Sequence, residues 1–170
     1  KANKDKPFFA YLPFTIPHLA LQVPDDSLAD YLGKFDDPAY DGKNGYLPHP
    51  HPRAVYAAMV TRMDRSVGRV FALLKELQLD ENTLVIFTSD NGPYWGTNFV
   101  QRYKHASAGP FRGMKGDAYE GGHRVPFIVR YPGKVKSGTT SNTTISLASL
   151  MATLAELIGN KSSEFIALDS

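Results

Sequence analysis

Asp90 and Asn91 sit side by side in the segment Thr88-Ser89-Asp90-Asn91-Gly92-Pro93. A carboxylate and an amide in that position can supply two oxygen ligands to a hard divalent cation such as Ca²⁺ or Mg²⁺. Asp-Asn-Gly is equally good turn chemistry, and taken alone the tetrapeptide reads more simply as a turn. A second segment runs from Gly109 to Pro126 and holds Lys115 among glycines. Glycines let backbone approach a ligand closely, and an ammonium there can neutralise an anionic group such as sulfate or phosphate. The plainer alternative is a flexible loop with solvated charges. Glu120 and Arg124 are spaced to pair and hold that loop. His18 follows Pro17 just after an apolar run. Its imidazole can donate to a substrate oxygen or move a proton near neutral pH, although a lone histidine is more often structural. His49 and His51 have the spacing of a metal pair on a strand, but between Pro48, Pro50 and Pro52 they read as exposed loop residues.

These residues need elements to position them. The run PFFAYLPF at 7–14 is aromatic, apolar and bounded by prolines, which predicts a short buried strand. Residues 15–24 form a loop leading out of it. Residues 25–52 are rich in Asp, Gly, Pro and Tyr and read as one long irregular excursion, functional or inserted. Residues 53–78 carry apolar side chains at Val55, Met59, Met63, Val67, Val70, Leu73, Leu74 and Leu77, the spacing of one face of a helix. TLVIFTS at 83–89 predicts a strand buried on both faces, as in a parallel sheet, and Asp90-Asn91 would then stand just past its carboxyl end, where open α/β sheets place their sites. Residues 94–122 lack periodicity. RVPFIVRY at 124–131 predicts another strand, and 146–159 a second helix stopped by Gly159. Strand, long helix, strand, loop, strand, helix is the order of an α/β layered domain.

Composition narrows the classes of partner. The chain has 170 residues, 42% apolar and 21% charged, with a net charge of +2. That is ordinary for a globular domain with a hydrophobic core. Acids and bases are interspersed, so there is no concentrated basic face of the kind nucleic-acid binding needs. No apolar stretch approaches the length of a membrane span. The absence of cysteine excludes disulfides, thiolate zinc sites and a cysteine nucleophile within these residues.

Taken in order, PFFAYLPFTIPHLALQVP, YAAMVTRMDRSVGRVFALLKELQLDENTLVIFTSDNGP and AGPFRGMKGDAYEGGHRVPFIVRYPGKVKSG resemble the type I sulfatases, or arylsulfatases, of the alkaline phosphatase superfamily. The likeness runs from about Lys6 to Gly159. It implies an alkaline-phosphatase-like α/β fold, a layered sheet flanked by helices, with residues 1–170 forming the part of a catalytic domain that lies C-terminal to the nucleophile. It implies that Asp90 and Asn91 are metal ligands, most often for Ca²⁺, and that Lys115 and His18 lie on the sulfate. Arg112, Glu120, Gly121, Gly122 and Arg124 match the family's glycine-rich block and shape the site, Arg112 close enough to count with His105 as a substrate-binding candidate. The substrate implied is a small-molecule or carbohydrate sulfate ester, without nucleic acid and without a membrane span, in a periplasmic, secreted or lysosomal setting. A phosphodiesterase or phosphonate hydrolase of the same superfamily, or a catalytically inactive piece, is the alternative.

Two departures stand out. The nucleophile motif, Cys or Ser-x-Pro-x-Arg, whose first residue becomes formylglycine, does not occur in this sequence and is expected upstream of it. With two metal-binding aspartates also expected there, these residues alone are expected to be inactive. Where the family reads Asp-Leu-x-Pro-Thr, this chain reads Ser149-Leu150-Met151-Ala152-Thr153, which predicts an altered helix start rather than lost chemistry.

Overall fold

A computed structural model describes residues 1, 3–43, 45–94 and 102–160, as two compact units, residues 1–135 and 136–170. The first unit is organised on one long helix, preceded by a short one. Helix α1 is Asp25–Leu28 and helix α2 is Pro52–Glu76. A 3-10 turn, Asp80–Asn82, leads to strand β1, Val85–Thr88; a single helical turn α3, Glu120–His123, precedes strand β2, Phe127–Arg130.

Helix α2 begins where a proline takes the first helical position, whose N–H needs no partner. The residue before it, His51, offers no side-chain cap. Asp37 supplies the cap instead, from sixteen residues upstream: the N–H groups of Arg53 and Ala54 donate to its Oδ1 and Oδ2 at 2.7 and 2.9 Å. A carboxylate there also meets the positive end of the helix dipole. The spacing expected of the apolar face is met at Val55 and Met59, which with Ala54, Ala58 and Leu74 form the buried core of this unit. Toward its C-terminal end the stripe opens, and Leu73 is exposed.

The long excursion is not irregular throughout. Its first part is clasped to α2: Arg62 donates to the buried Ser27 hydroxyl at 2.8 Å, Arg65 meets Asp30 at 3.1 Å, and the Tyr31 and Thr61 hydroxyls lie 2.5 Å apart. Its second part is closed by an antiparallel bridge, in which Tyr40 and His49 exchange N–H···O bonds of 2.9 Å.

The sheet differs from the expectation. β1 and β2 pair antiparallel, in the register Val85↔Arg130 to Thr88↔Phe127, and all four β1 residues are half-buried rather than buried on both faces. An apolar run signals a strand but carries no information about the direction of its neighbour. Residues 7–14 correct the sequence reading more sharply. They are not in a strand, and Phe9 and Tyr11 are 81% and 76% exposed. Without a pairing strand among the described residues, an apolar segment has neither a ladder nor a covering face. Tyr11, Leu12 and Phe14 instead line an open groove of about 830 Å³ with Val70 and Leu73 of α2.

The second unit contains a 3-10 turn, Leu147–Ser149, running into helix α4, Leu150–Leu157. The Ser146 hydroxyl accepts from the Ala148 N–H at 3.2 Å, and the helix ends at Gly159 with φ +79°. The helix is entered through a 3-10 turn, with Ser146 as its cap. No helix among the described residues is long and apolar enough to cross a membrane.

The cap from Asp37 is testable. Asp37→Ala leaves two helix-end donors without their carboxylate and should destabilise the protein by about 1–2 kcal/mol. Asp37→Asn, which keeps one acceptor oxygen, should lose less; urea unfolding midpoints of the two variants measure the difference.

Candidate active site

Asp90 and Asn91 stand directly past the C-terminal end of β1, as expected. The strand's exit is stitched onto the glycine-rich block by backbone. Gly92 N–H donates to Gly122 O at 2.8 Å, and Lys115 N–H donates to Pro93 O at 2.9 Å. Within the block, Gly121 N–H donates to Arg112 O at 2.8 Å. Asp117 closes the turn around Lys115, its Oδ2 accepting from Met114 N–H at 3.0 Å and its own N–H donating to Met114 O at 2.9 Å. Side chains would not fit this contact. A Cβ on Gly92 would lie 2.1 Å from Gly121 O, and one on Gly122 would lie 2.0 Å from Asp117 O. The glycines needed here are therefore those where two backbones touch.

The stitched segment carries Lys115, whose Nζ lies 3.2 Å from Nε2 of His18, 97 residues away in sequence. His18 Nδ1 contacts Leu19 O. A carbonyl can only accept, so in the tautomer that uses this contact Nδ1 carries the hydrogen and Nε2 can accept from the ammonium. Both side chains are exposed enough to meet a ligand. The Tyr46 ring stands edge-to-face with His18, centroids 6.3 Å apart.

Asp90 is exposed, and its carboxylate has one long hydrogen bond, from the Ser89 hydroxyl at 3.4 Å. Asn91 commits its amide N–H to Gly92 O at 2.8 Å, which leaves its oxygen free of protein donors. Two largely uncommitted oxygens on adjacent residues suit a hard cation. They are fewer than the six to eight that Ca²⁺ takes, and among the described residues no group of three or more His, Cys, Asp or Glu gathers to complete the set. The donor chemistry thus fits part of a cation site.

The other candidates are placed differently. The Arg112 guanidinium lies 3.7 Å over the Tyr119 ring, which suits a residue that shapes the block. Glu120 and Arg124 form the expected ion pair. His105 is exposed, and no hydrogen bond joins it to the His18–Lys115 pair. His51 N–H donates to His49 Nδ1 at 2.9 Å, so that ring nitrogen is spent on the loop. Trp95, Tyr94 and Tyr103 are aromatic residues that could stack on a sugar or serve as packing: Tyr94 is exposed, Tyr103 has the Arg53 and Arg102 guanidinium carbons 3.9 and 5.2 Å from its ring centroid, and Trp95 lies outside the described residues. Near Tyr46, the Lys43 side chain and N–H hold the Asp41 carboxyl below its ordinary value. Two parts of the arrangement escaped the sequence reading. Asp117 had a faint signal, an aspartate beside Gly116 at a turn; Tyr46 had none beyond an aromatic residue in a glycine-containing loop.

A strand ending in oxygen donors, glycines packed backbone to backbone at Gly92, Gly121 and Gly122, and a lysine against a histidine make up the candidate site. Residues 1–160 match the sulfatase family model. A sulfatase of Formosa agariphila is 36% identical over 95% of this chain and 28% of its own length; an N-acetylgalactosamine-6-O-sulfatase of Bacteroides thetaiotaomicron is 33% identical over 99% of this chain and 30% of its own. The solved structure of Ps i-CgsB in complex with k-i-k-neocarrahexaose superposes with a TM-score of 0.74 at 33% identity, covering 95% of this chain and 31% of that one. The chain belongs to the sulfatase family. It spans roughly three-tenths of the length of the relatives it matches.

The backbone contact gives a direct stability test. Gly92→Ala should destabilise the protein by about 1–3 kcal/mol, because backbone rather than a flexible side chain must move. Gly68→Ala, in the α2 interior with nothing within 4 Å of the new Cβ, should stabilise it by about 0.5–1 kcal/mol. Thermal unfolding of the pair shows whether the two signs are opposite.

Proposed function

We propose that the full-length protein hydrolyses sulfate esters, with a sulfated carbohydrate as substrate. The observation that carries the reading is the 3.2 Å approach of Lys115 Nζ to His18 Nε2, with the Lys115 backbone tied to Pro93 just past Asp90 and Asn91. The reading draws further support from the relatives. One is named for N-acetylgalactosamine-6-O-sulfate and another was solved with a neocarrahexaose.

The chemistry follows from the groups present. A sulfate monoester is an anion, and its hydrolysis breaks the bond between sulfur and the bridging oxygen. Negative charge then grows on that oxygen as the alcohol departs, so a fixed cation beside it favours the transition state over the ground state. Lys115 supplies that cation, held on the Pro93 and Asp117 turns. His18, with Nδ1–H committed to Leu19 O, orients Nε2 toward the lysine, and the proton between them is placed to pass to the leaving oxygen. Asp90 and Asn91 would hold a divalent cation, Ca²⁺ by family likeness, which when bound supplies charge for the sulfate oxygens. The nucleophile, a formylglycine in this family, is assigned to the part of the protein outside these residues. His105 and Arg112 are assigned to the substrate side of the glycine block. By the same likeness the protein works in a periplasmic, secreted or lysosomal setting.

Lys115→Ala in the full-length protein should lower kcat/KM for a sulfate ester by about 10²–10³, the loss typical when one preorganised charge-stabilising donor is removed. Asp90→Ala should raise the Ca²⁺ concentration needed for half-maximal turnover. Steady-state rates across a calcium titration check both. Undiminished turnover by Lys115→Ala would sink the proposal.

A further inference from the structure

We infer that Tyr46 is the carbohydrate platform of the site, the ring on which the sugar bearing the sulfate lies. The inference rests on the reading of His18 and Lys115 as the sulfate-binding pair. Among the described residues Tyr46 is the aromatic side chain in ring contact with that pair, its centroid 6.3 Å from that of His18 and the planes at 70°. In either sense of an edge-to-face pair, at least one face of the tyrosine is not used by the histidine. The residue is 43% exposed, so a face is open to a ligand. A sulfate held at His18 puts the hexose carrying it one ring's breadth away. Sugar rings present C–H groups on their flat sides, and these are attracted to the negative face of an aromatic ring. The phenol hydroxyl adds a polar edge for sugar hydroxyls.

The loop is built to hold this ring in place. The Tyr40–His49 bridge closes its base, and Gly45 N–H donates to Gly42 O at 3.2 Å within it. Gly42 has φ +82°, and a Cβ there would press on Pro48 Cδ and Tyr46 O at 3.2 Å, so glycine is needed for the turn that presents Tyr46. Asp41 ties Lys43 through its Oδ2 at 2.7 Å and its Oδ1 to the Lys43 N–H at 3.1 Å. Tyr103 has guanidinium groups of Arg53 and Arg102 against its ring, and Arg102 is fixed in turn to Asp36 at 3.0 Å. Tyr103 is thus part of the scaffold that anchors the loop to the start of α2, and Tyr46 is the ring that scaffold displays.

The experiment compares full-length wild-type protein with Tyr46→Ala, Tyr46→Phe, Tyr46→Trp and Lys115→Ala on a sulfated hexose disaccharide, with inorganic sulfate as a competitive inhibitor. Tyr46→Ala should raise KM about tenfold, the scale of one lost aromatic contact. Its kcat and the inhibition constant of sulfate should stay within about twofold of wild type, since only binding shared by ground and transition states is removed. Phe and Trp should restore KM. An unchanged KM in Tyr46→Ala overturns the inference, and so does a sulfate inhibition constant that rises in step with KM, which would mean that Tyr46 acts by holding His18. Full activity in Lys115→Ala overturns the sulfatase reading instead, whatever Tyr46 does. A wild-type protein that neither binds nor hydrolyses any sulfated disaccharide overturns both.

Discussion

The site depends on one close approach of backbone to backbone, the contact of Gly92 with Gly121 and Gly122. A strand normally ends in a turn whose direction is free. Here the turn is welded to a second segment by Gly92 N–H on Gly122 O, and Lys115 N–H on Pro93 O repeats the tie one residue further on. The consequence is rigid registration of two chemistries: the oxygens of Asp90 and Asn91 on one strand of the contact, the ammonium of Lys115 on the other. Neither pairing relies on side-chain burial. That matters because Lys115, His18 and Asp90 must all stay accessible to a ligand, and exposed side chains hold one another only weakly. Rigidity is supplied instead by hydrogen-bonded peptide groups that no substrate displaces.

Helix α2 is the longest of the described elements and organises part of the chain that precedes it. Ser27, Asp30 and Tyr31 dock along its length, and Asp37 closes its first turn. The surface ion pairs among these contribute little energy each. Asp37 differs, because two otherwise orphaned N–H groups depend on it. One carboxylate therefore both starts the helix and fixes the middle of the excursion, and from that fixed point the chain runs to the bridge at Tyr40 and on to Tyr46 beside His18.

What could be read from the sequence follows from how local each cause is. Helix α2 was legible because its period is written into successive residues, and so was Gly159 as a helix stop. The end of β1 was legible as a place for oxygen ligands, since a strand followed by Asp-Asn-Gly is a local pattern. Partnership was not legible. Nothing in TLVIFTS tells that its neighbour is antiparallel, and nothing in residues 7–14 tells that they lie open along α2. The meeting of His18 and Lys115 spans 97 residues, and only family likeness, not spacing, brought the two together beforehand. Asp37 and the Tyr40–His49 bridge were hidden for the same reason. Each is a long-range partner whose own neighbourhood looks like ordinary loop.

The exposed run from Phe8 to Leu12 has a meaning beyond the site. It is uncharged, aromatic and extended, and none of its N–H groups makes a backbone hydrogen bond within the described chain. These residues span about three-tenths of the matched relatives' length, and an unpaired edge of this kind is open to a strand from outside them. The sequence restrains this on both sides. Pro7 and Pro13 remove two donors and cap the usable length at five residues. The two prolines thus set the length of ladder that the segment can join.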